Sequence, residues 1–207
     1  MDALDALKTR RSCRAYLNRP VDAQTLDTII EAGRFAASGM GRQPVTFVAV
    51  TDPATVKQLS RMNAQIMGVD TDPFYGAQTV VVVLVDASVP TCVEDGALAM
   101  GNLMNAAHAL GVDSCWIHRA REEFESKEGR ALLASWGLPS DGSLRGVGHC
   151  ILGYAAGPAG EPKPRRDNVV YVKVAFTPSS PCMQSGLSTS LDRPDFSYAW
   201  CVCAICL

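Results

Sequence analysis

Apolar side chains recur along the chain at two spacings, and the change from one to the other lays out the elements. Leu26, Ile29, Ile30 and Gly33 fall at i, i+3, i+4 and i+7 behind Asp22, the signature of an amphipathic helix with an N-cap. Asp2 is placed to cap a shorter first helix that carries Leu4 and Leu7 on one face. Val45 to Val50 reads as a strand. Asp52-Pro53 then supplies the N-cap and first-turn proline of a third helix with Val56, Leu59 and Met62 inside. Thr79 to Asp86 is β-branched without alternation, which predicts a strand buried on both faces. Residues 92–110 form a long Ala-rich helix closed by Gly111, and Ser114 to Ile117 a short strand. Glu122 to Trp136 reads as one helix stopped by Gly137 and Pro139, followed by a last strand from Val147 to Tyr154. Taken alone, this alternation predicts a doubly wound parallel sheet, although periodicity does not give the order of pairing.

Composition narrows the class. With 207 residues, 47% hydrophobic and 19% charged, the chain is an ordinary globular protein with enough length for a real core. A net charge of −2 excludes a general basic surface for nucleic acid or anionic lipid. The longest apolar run, Val80 to Val85, is strand-sized, and no basic-then-apolar leader pattern opens the sequence. Eight cysteines without an export signal are expected as free thiols in the cytoplasm. Cys182, Cys201, Cys203 and Cys206 fall after a composition break near Lys173. Residues 1–173 therefore read as one domain. Residues 174–207 read as an atypical tail containing Cys, Ser and Pro, expected to be poorly ordered.

Three segments carry candidate chemistry. Arg10-Arg11-Ser12-Cys13-Arg14 offers guanidiniums and a hydroxyl for a phosphate, or else complements the carbonyl end of the first helix. Lys163-Pro164-Arg165-Arg166 is a second basic cluster, for an anion or simply a solvated loop. Ser38-Gly39-Met40-Gly41-Arg42-Gln43-Pro44 lets the backbone approach a flat ligand, or is a plain helix-to-strand turn. No phosphate loop, dinucleotide fingerprint, nucleophile elbow or metal-ligand spacing is present; His108 and His149 read as satisfied core or interface histidines. Anion clusters without an acid–base constellation suggest that a bound cofactor brings the reactivity.

Arg10-Arg11-Ser12-x-Arg14-x-Tyr16 followed by Ser38-Gly39-Met40-x-Arg42-Gln43-Pro44 resembles the opening of the FMN-dependent nitroreductase family. Pro73-Phe74-Tyr75-Gly76-Ala77, the stretch from Ala106 to Ile117, and Gly153-Tyr154 with Lys163-Pro164-Arg165-Arg166 extend the resemblance in order. It implies an α+β fold with a mixed, mainly antiparallel sheet flanked by helices, in an intertwined homodimer with FMN at the subunit interface. It displaces the parallel reading. The implied reaction carries hydride from NADH or NADPH through FMN to a flat, electron-poor acceptor by a ping-pong scheme. No catalytic side chain and no metal are needed.

Carried over by motif, Arg10, Ser12 and Arg14 with Arg165 or Arg166 would hold the phosphate and ring edge, with Arg11 and Lys163 in the same clusters. Gln43 and Asn63 would face the flavin. Trp116, Ile117 and His118 would line the ring, with the His118 backbone N–H near its N5. Phe74 and Tyr75 would shape the open face where substrate stacks. Gly41 departs from the asparagine that many members carry before the Gln-Pro pair, and the tail resembles nothing in the family. Two other readings differ in class: a flavin-binding or sensing protein without turnover, and a redox relay through the tail's Cys203-Ala204-Ile205-Cys206.

Overall fold

Val45–Val50 (β1), Thr79–Asp86 (β2), Asp113–Ile117 (β3) and Leu144–Gly153 (β4) form one sheet in the order β1-β2-β4-β3. The computed structural model describes residues 1–158 and 160–172. Every strand pair is antiparallel, which corrects the parallel reading of the alternation pattern and agrees with the family expectation. The pattern misled because element order does not encode strand direction. After the helix Pro53–Met67 (α3), residues 68–78 carry the chain back so that β2 runs against β1.

A single parallel bridge, Ser12 to Ser114, makes that edge mixed. It matters for function. The bond from Cys13 N to Ser114 O (3.0 Å), with those from Leu17 N to Tyr154 O (2.8 Å) and Ala156 N to Ala15 O (2.9 Å), lays the arginine segment along β3 and the end of β4.

β2 is buried on both faces, as its unbroken β-branched run predicts. Val80, Val82 and Leu84 pack with Val56 and Leu59 of α3 and with Phe124 and Leu133. Val81, Val83 and Val85 pack on the other side, against Leu26 and Ile29 of Ala23–Arg34 (α2) and Met100 and Leu103 of Cys92–Ala109 (α4). The result is helices on both faces of one sheet, each buried side chain contributing about 1.5–3 kcal/mol.

The aspartate caps form as read. Asp2 accepts from Leu4 N at the start of Ala3–Thr9 (α1), Asp22 from Thr25 N and Asp52 from Thr55 N. Leu4 and Leu7 are both more than half exposed, so α1 turns its apolar face outward in the single chain.

The helix read over 122–136 is two, Ala120–Glu125 (α5) and Lys127–Ser135 (α6). Ser126 is extended at the break, and its Oγ donates to Glu123 O (2.6 Å) and accepts from Gly129 N (3.0 Å). Gly129 lies so close to the Glu123 carbonyl that a Cβ there would collide with it. The break is therefore a tertiary contact between the two helices.

The chain divides into Met1–Lys163 and a second unit beginning at Pro164, in which residues 164–172 are exposed and without regular structure. The tail 174–207, with its Cys-x-x-Cys, lies outside the described residues.

Candidate functional site: two clefts joined at Arg14

α1 ends at Thr9, and the three arginines of the following segment take different roles. The Arg11 guanidinium folds back and donates to Lys8 O (2.9 Å) and Arg10 O (2.8 Å), so for this residue the helix-end role is real. Arg10 is half-buried, and its Nη1 has no partner among the described residues. Arg14 is exposed. Among the described residues none of the three stands in an ion pair. Arg11, Ser12 and Arg14 line a cleft of about 320 Å3 beside Asp113, whose carboxylate is occupied by Ala155 N at 3.0 Å.

Arg14 also lines a second cleft of about 240 Å3, with Asn63, Tyr75, Trp116, Ile117 and His118. The two clefts thus share Arg14. Trp116 is half-buried with its indole N–H unpartnered; on the neighbouring strand Gly148 leaves the space that its ring fills. Tyr75 holds a left-handed backbone (φ 54°) and stays partly exposed, while its carbonyl accepts from Tyr16 N at 3.3 Å. Beneath the clefts, burial pushes the Cys115 thiol up, against the pull of Ser12, Arg14 and Arg10, so it is a packing group and not a thiolate. The Tyr16 hydroxyl is raised far more, again chiefly by burial.

Two predicted residues occupy other positions than the sequence suggests. Phe74 is 1% exposed and stacks against the His149 ring at 5.3 Å, so it backs the core instead of shaping an open face. Asn63 is fully buried: its amide donates to His118 O (2.7 Å) and to Glu123 Oε1 (2.5 Å). Glu123 Oε2 in turn meets His149 Nε2 at 3.0 Å, and both side chains are fully buried. His149 is a core histidine as read, with its Nδ1 left unpartnered. His108 meets Thr9 Oγ1 at 2.8 Å on the α1–α4 contact. Motif matching passed over Glu123, yet it sits at a buried helical position beside Ala120 and Phe124, a readable anomaly for a carboxylate.

Gln43 is not brought to Arg14. It lines a separate cavity of about 600 Å3 with Phe35, Ser38, Phe47 and Asp95, at the β1 edge. The Trp116–His118 stretch is at the β3 edge, three strand spacings away, or about 14 Å across the sheet. Met40, Gly41 and Gln43 all have left-handed backbones (φ 54°, 65° and 50°), and Asp95 holds the loop by accepting from Gly39 N at 2.8 Å. Gly41 meets this requirement as an asparagine would, without its side-chain hydrogen bonds. Lys163 ends the first unit, exposed, and Arg165 and Arg166 are exposed in the second.

The sequence profile of the Nitroreductase family matches residues 7–78, the segment that runs from the arginines through Gln43 to Tyr75. A solved nitroreductase with bound FMN from Bacteroides fragilis is 29% identical and superposes with a TM-score of 0.76, over 84% of this chain and 100% of that one. The chain is thus similar to the Nitroreductase family over residues 7–78 and shares the fold of a solved nitroreductase over most of its length. A protein of Archaeoglobus fulgidus provisionally named NADH dehydrogenase/NAD(P)H nitroreductase is 29% identical over 68% of this chain and 79% of its own length. One of the same name from Methanothermobacter thermautotrophicus is 29% identical over 56% of this chain, a match that spans 60% of that relative.

Proposed function

We propose that the chain is an FMN-dependent oxidoreductase that moves hydride from NADH or NADPH to a flat, electron-poor acceptor such as a nitroaromatic or a quinone. The observation that carries this reading is the pair of clefts sharing Arg14. FMN has an anionic phosphate and a flat aromatic ring system, and the two openings match those ends in chemistry. Ser12 and Arg14 line the phosphate end without an ion-pair partner, beside Arg11, whose guanidinium is turned to the Lys8 and Arg10 carbonyls; charge-assisted hydrogen bonds to a phosphate are strong. Trp116, Ile117 and Tyr75 line the ring end. FMN, when bound, supplies the hydride chemistry.

The protein contributes position and polarity. Tyr75 flanks one open side, so donor and acceptor use the same space in turn. That arrangement predicts ping-pong kinetics. Glu123 and His149 are fully buried, and Cys115 is held as a thiol.

The site is completed by a second copy. In an intertwined homodimer the 38–44 loop of one protomer would reach the Arg14 clefts of the other, which its own fold keeps at the opposite sheet edge. Leu4 and Leu7 on α1 and Val93 and Leu98 on α4 give each protomer apolar surface to bury in such a pair. Lys163 is assigned to the phosphate end on its charge. The cysteines Cys13, Cys92, Cys115 and Cys150 are all free, as a reducing cytoplasm would keep them. Among the described residues no helix is long and apolar enough to cross a membrane.

The test is oxidation of NADH and NADPH by the FMN-loaded protein with menadione or a nitroaromatic as acceptor. Parallel double-reciprocal lines are expected. FMN binding without nucleotide oxidation would leave the sensing alternative, and colourless protein that ignores FMN would remove both.

A further inference from the structure

We infer that Cys13 and Cys115 form an oxidisable dithiol: a small anionic disulfide entering the cleft at Cys13 leaves the two joined as a protein disulfide. The inference goes beyond the flavin chemistry proposed above and stands whether or not the chain binds a flavin.

The backbone sets the two residues side by side. Ser12 and Ser114 form a parallel bridge, and Cys13 N donates to Ser114 O at 3.0 Å, so the next residues in step are Cys13 and Cys115. Adjacent strands lie about 4.8 Å apart, inside the roughly 4.4–6.8 Å between Cα atoms that a disulfide spans. The side chains share a face. Cys115 is buried in the cluster of Tyr16, Phe74 and Ile151, and Cys13 packs against that same cluster. Each thiol has only a weak bond to give up, from Cys13 Sγ to Ala15 O (3.2 Å) and from Cys115 Sγ to Trp116 O (3.7 Å).

The same geometry excludes the other described thiols as partners. Cys150 pairs with Trp116 across β3 and β4, one residue out of step with Cys115, and successive side chains of a strand point to opposite faces. Cys150 lies in the cluster of Val81 and Val83 on the far side of the sheet, as does Cys92 of α4.

The surroundings divide the two roles. Cys13 is half-buried and lines the 320 Å3 cleft with Arg11, Ser12 and Arg14, where an anionic disulfide such as oxidised glutathione meets positive charge. Cys115 is 3% exposed and lines the second cleft with Arg14. The Cys13 sulfur, its proton passing to water, attacks one sulfur of the small disulfide, and a small thiolate leaves and is protonated. Cys115 then attacks the Cys13 sulfur, again losing its proton to water, and the second small thiolate leaves. Both protein thiols are oxidised and the small disulfide is reduced to its thiols, so protons and electrons balance. The product ties the arginine segment covalently to β3 and so acts on both clefts that share Arg14.

The experiment treats the reduced full chain with oxidised glutathione, blocks the remaining thiols, and maps the peptides by mass spectrometry without reduction. Cleavage at acidic as well as basic residues separates Cys92 from Cys115, since Glu94 and Asp95 lie between them. A Cys13–Cys115 link is expected, lost on adding dithiothreitol. In Cys13→Ser, Cys115 should be recovered as the free thiol, and in Cys115→Ser, Cys13 should stop at the mixed disulfide with glutathione. In the native chain, glutathione retained on Cys13 beside a reduced Cys115 would overturn the inference. So would Cys115 linked to Cys150 or to a cysteine of the tail, or no change at either residue. A chain that forms the link yet ignores FMN would sustain the inference and remove the cofactor reading.

Discussion

The two edges of the sheet carry two different kinds of cleft. At the β3 edge, the clefts around Arg14 rest on buried polar contacts drawn from α3, α5 and β4, and the segment 12–17 is tied down by backbone bonds. At the β1 edge, the 38–44 loop strings together left-handed residues, with Phe35 80% and Met40 88% exposed beside it. The first edge is organised by its own chain before any ligand arrives. The second leaves large apolar side chains in water, a cost that the proposed second protomer would remove. Substitutions at the β3 edge should therefore affect stability and binding together, whereas those in the β1 loop should affect binding with little change in stability.

The largest effect is expected for His149→Ala. It leaves the Glu123 carboxylate buried without its partner, and urea unfolding should report a loss of about 3–5 kcal/mol. Next is Asp95→Ala, which removes the acceptor of Gly39 N and of Thr91 Oγ1. It should cost about 1–3 kcal/mol in the same measurement and loosen the loop, seen as faster amide exchange over residues 38–43.

Gln43→Ala should separate the two edges most cleanly. Being exposed, it should leave stability within about 0.5 kcal/mol. FMN affinity should fall by roughly 3–10-fold, the weight of one hydrogen bond. A Gln43→Ala protein with unchanged FMN affinity would break the proposed sharing of a site between protomers.

The smallest effect belongs to the caps. The bonds from Thr55 hold the Asp52 carboxyl below its usual range, as those from Thr25 do for Asp22. A carboxyl depressed in the folded state stabilises above its unfolded pKa of about 4 and loses that contribution as the pH falls through the folded value. Asp52→Ala should therefore lower Tm slightly at neutral pH, with the difference from native protein closing as the pH drops below about 4.

Much of the scaffold was legible because it is written in local signals. Asp2, Asp22 and Asp52 announce their helices, and the β-branched run at 79–86 announces a strand with no solvent face. The helix break at Ser126 was not legible: the apolar period continues through Phe124, Leu132 and Leu133, and the cause is a close approach to Gly129. Strand direction was not legible in the alternation, since it is set by pairing across the sheet, and came instead from the family resemblance. The motif residues Arg14, Tyr75 and Trp116 line one cleft, whereas the packing of Phe74 in the core involves His149, far along the chain. Asn63, Glu123 and His149 come from three elements, and nothing local joins them. The single local hint was a glutamate at a core position.

The most direct test of the central claim, that Arg14 joins a phosphate opening to a ring slot, is a titration of FMN into native and Arg14→Ala protein, read by flavin fluorescence. One FMN per protomer is predicted for the native chain, with affinity lowered by roughly 10–100-fold in the variant, as loss of a charge-assisted contact requires. Equal affinity in both, or no binding by the native chain, would contradict it.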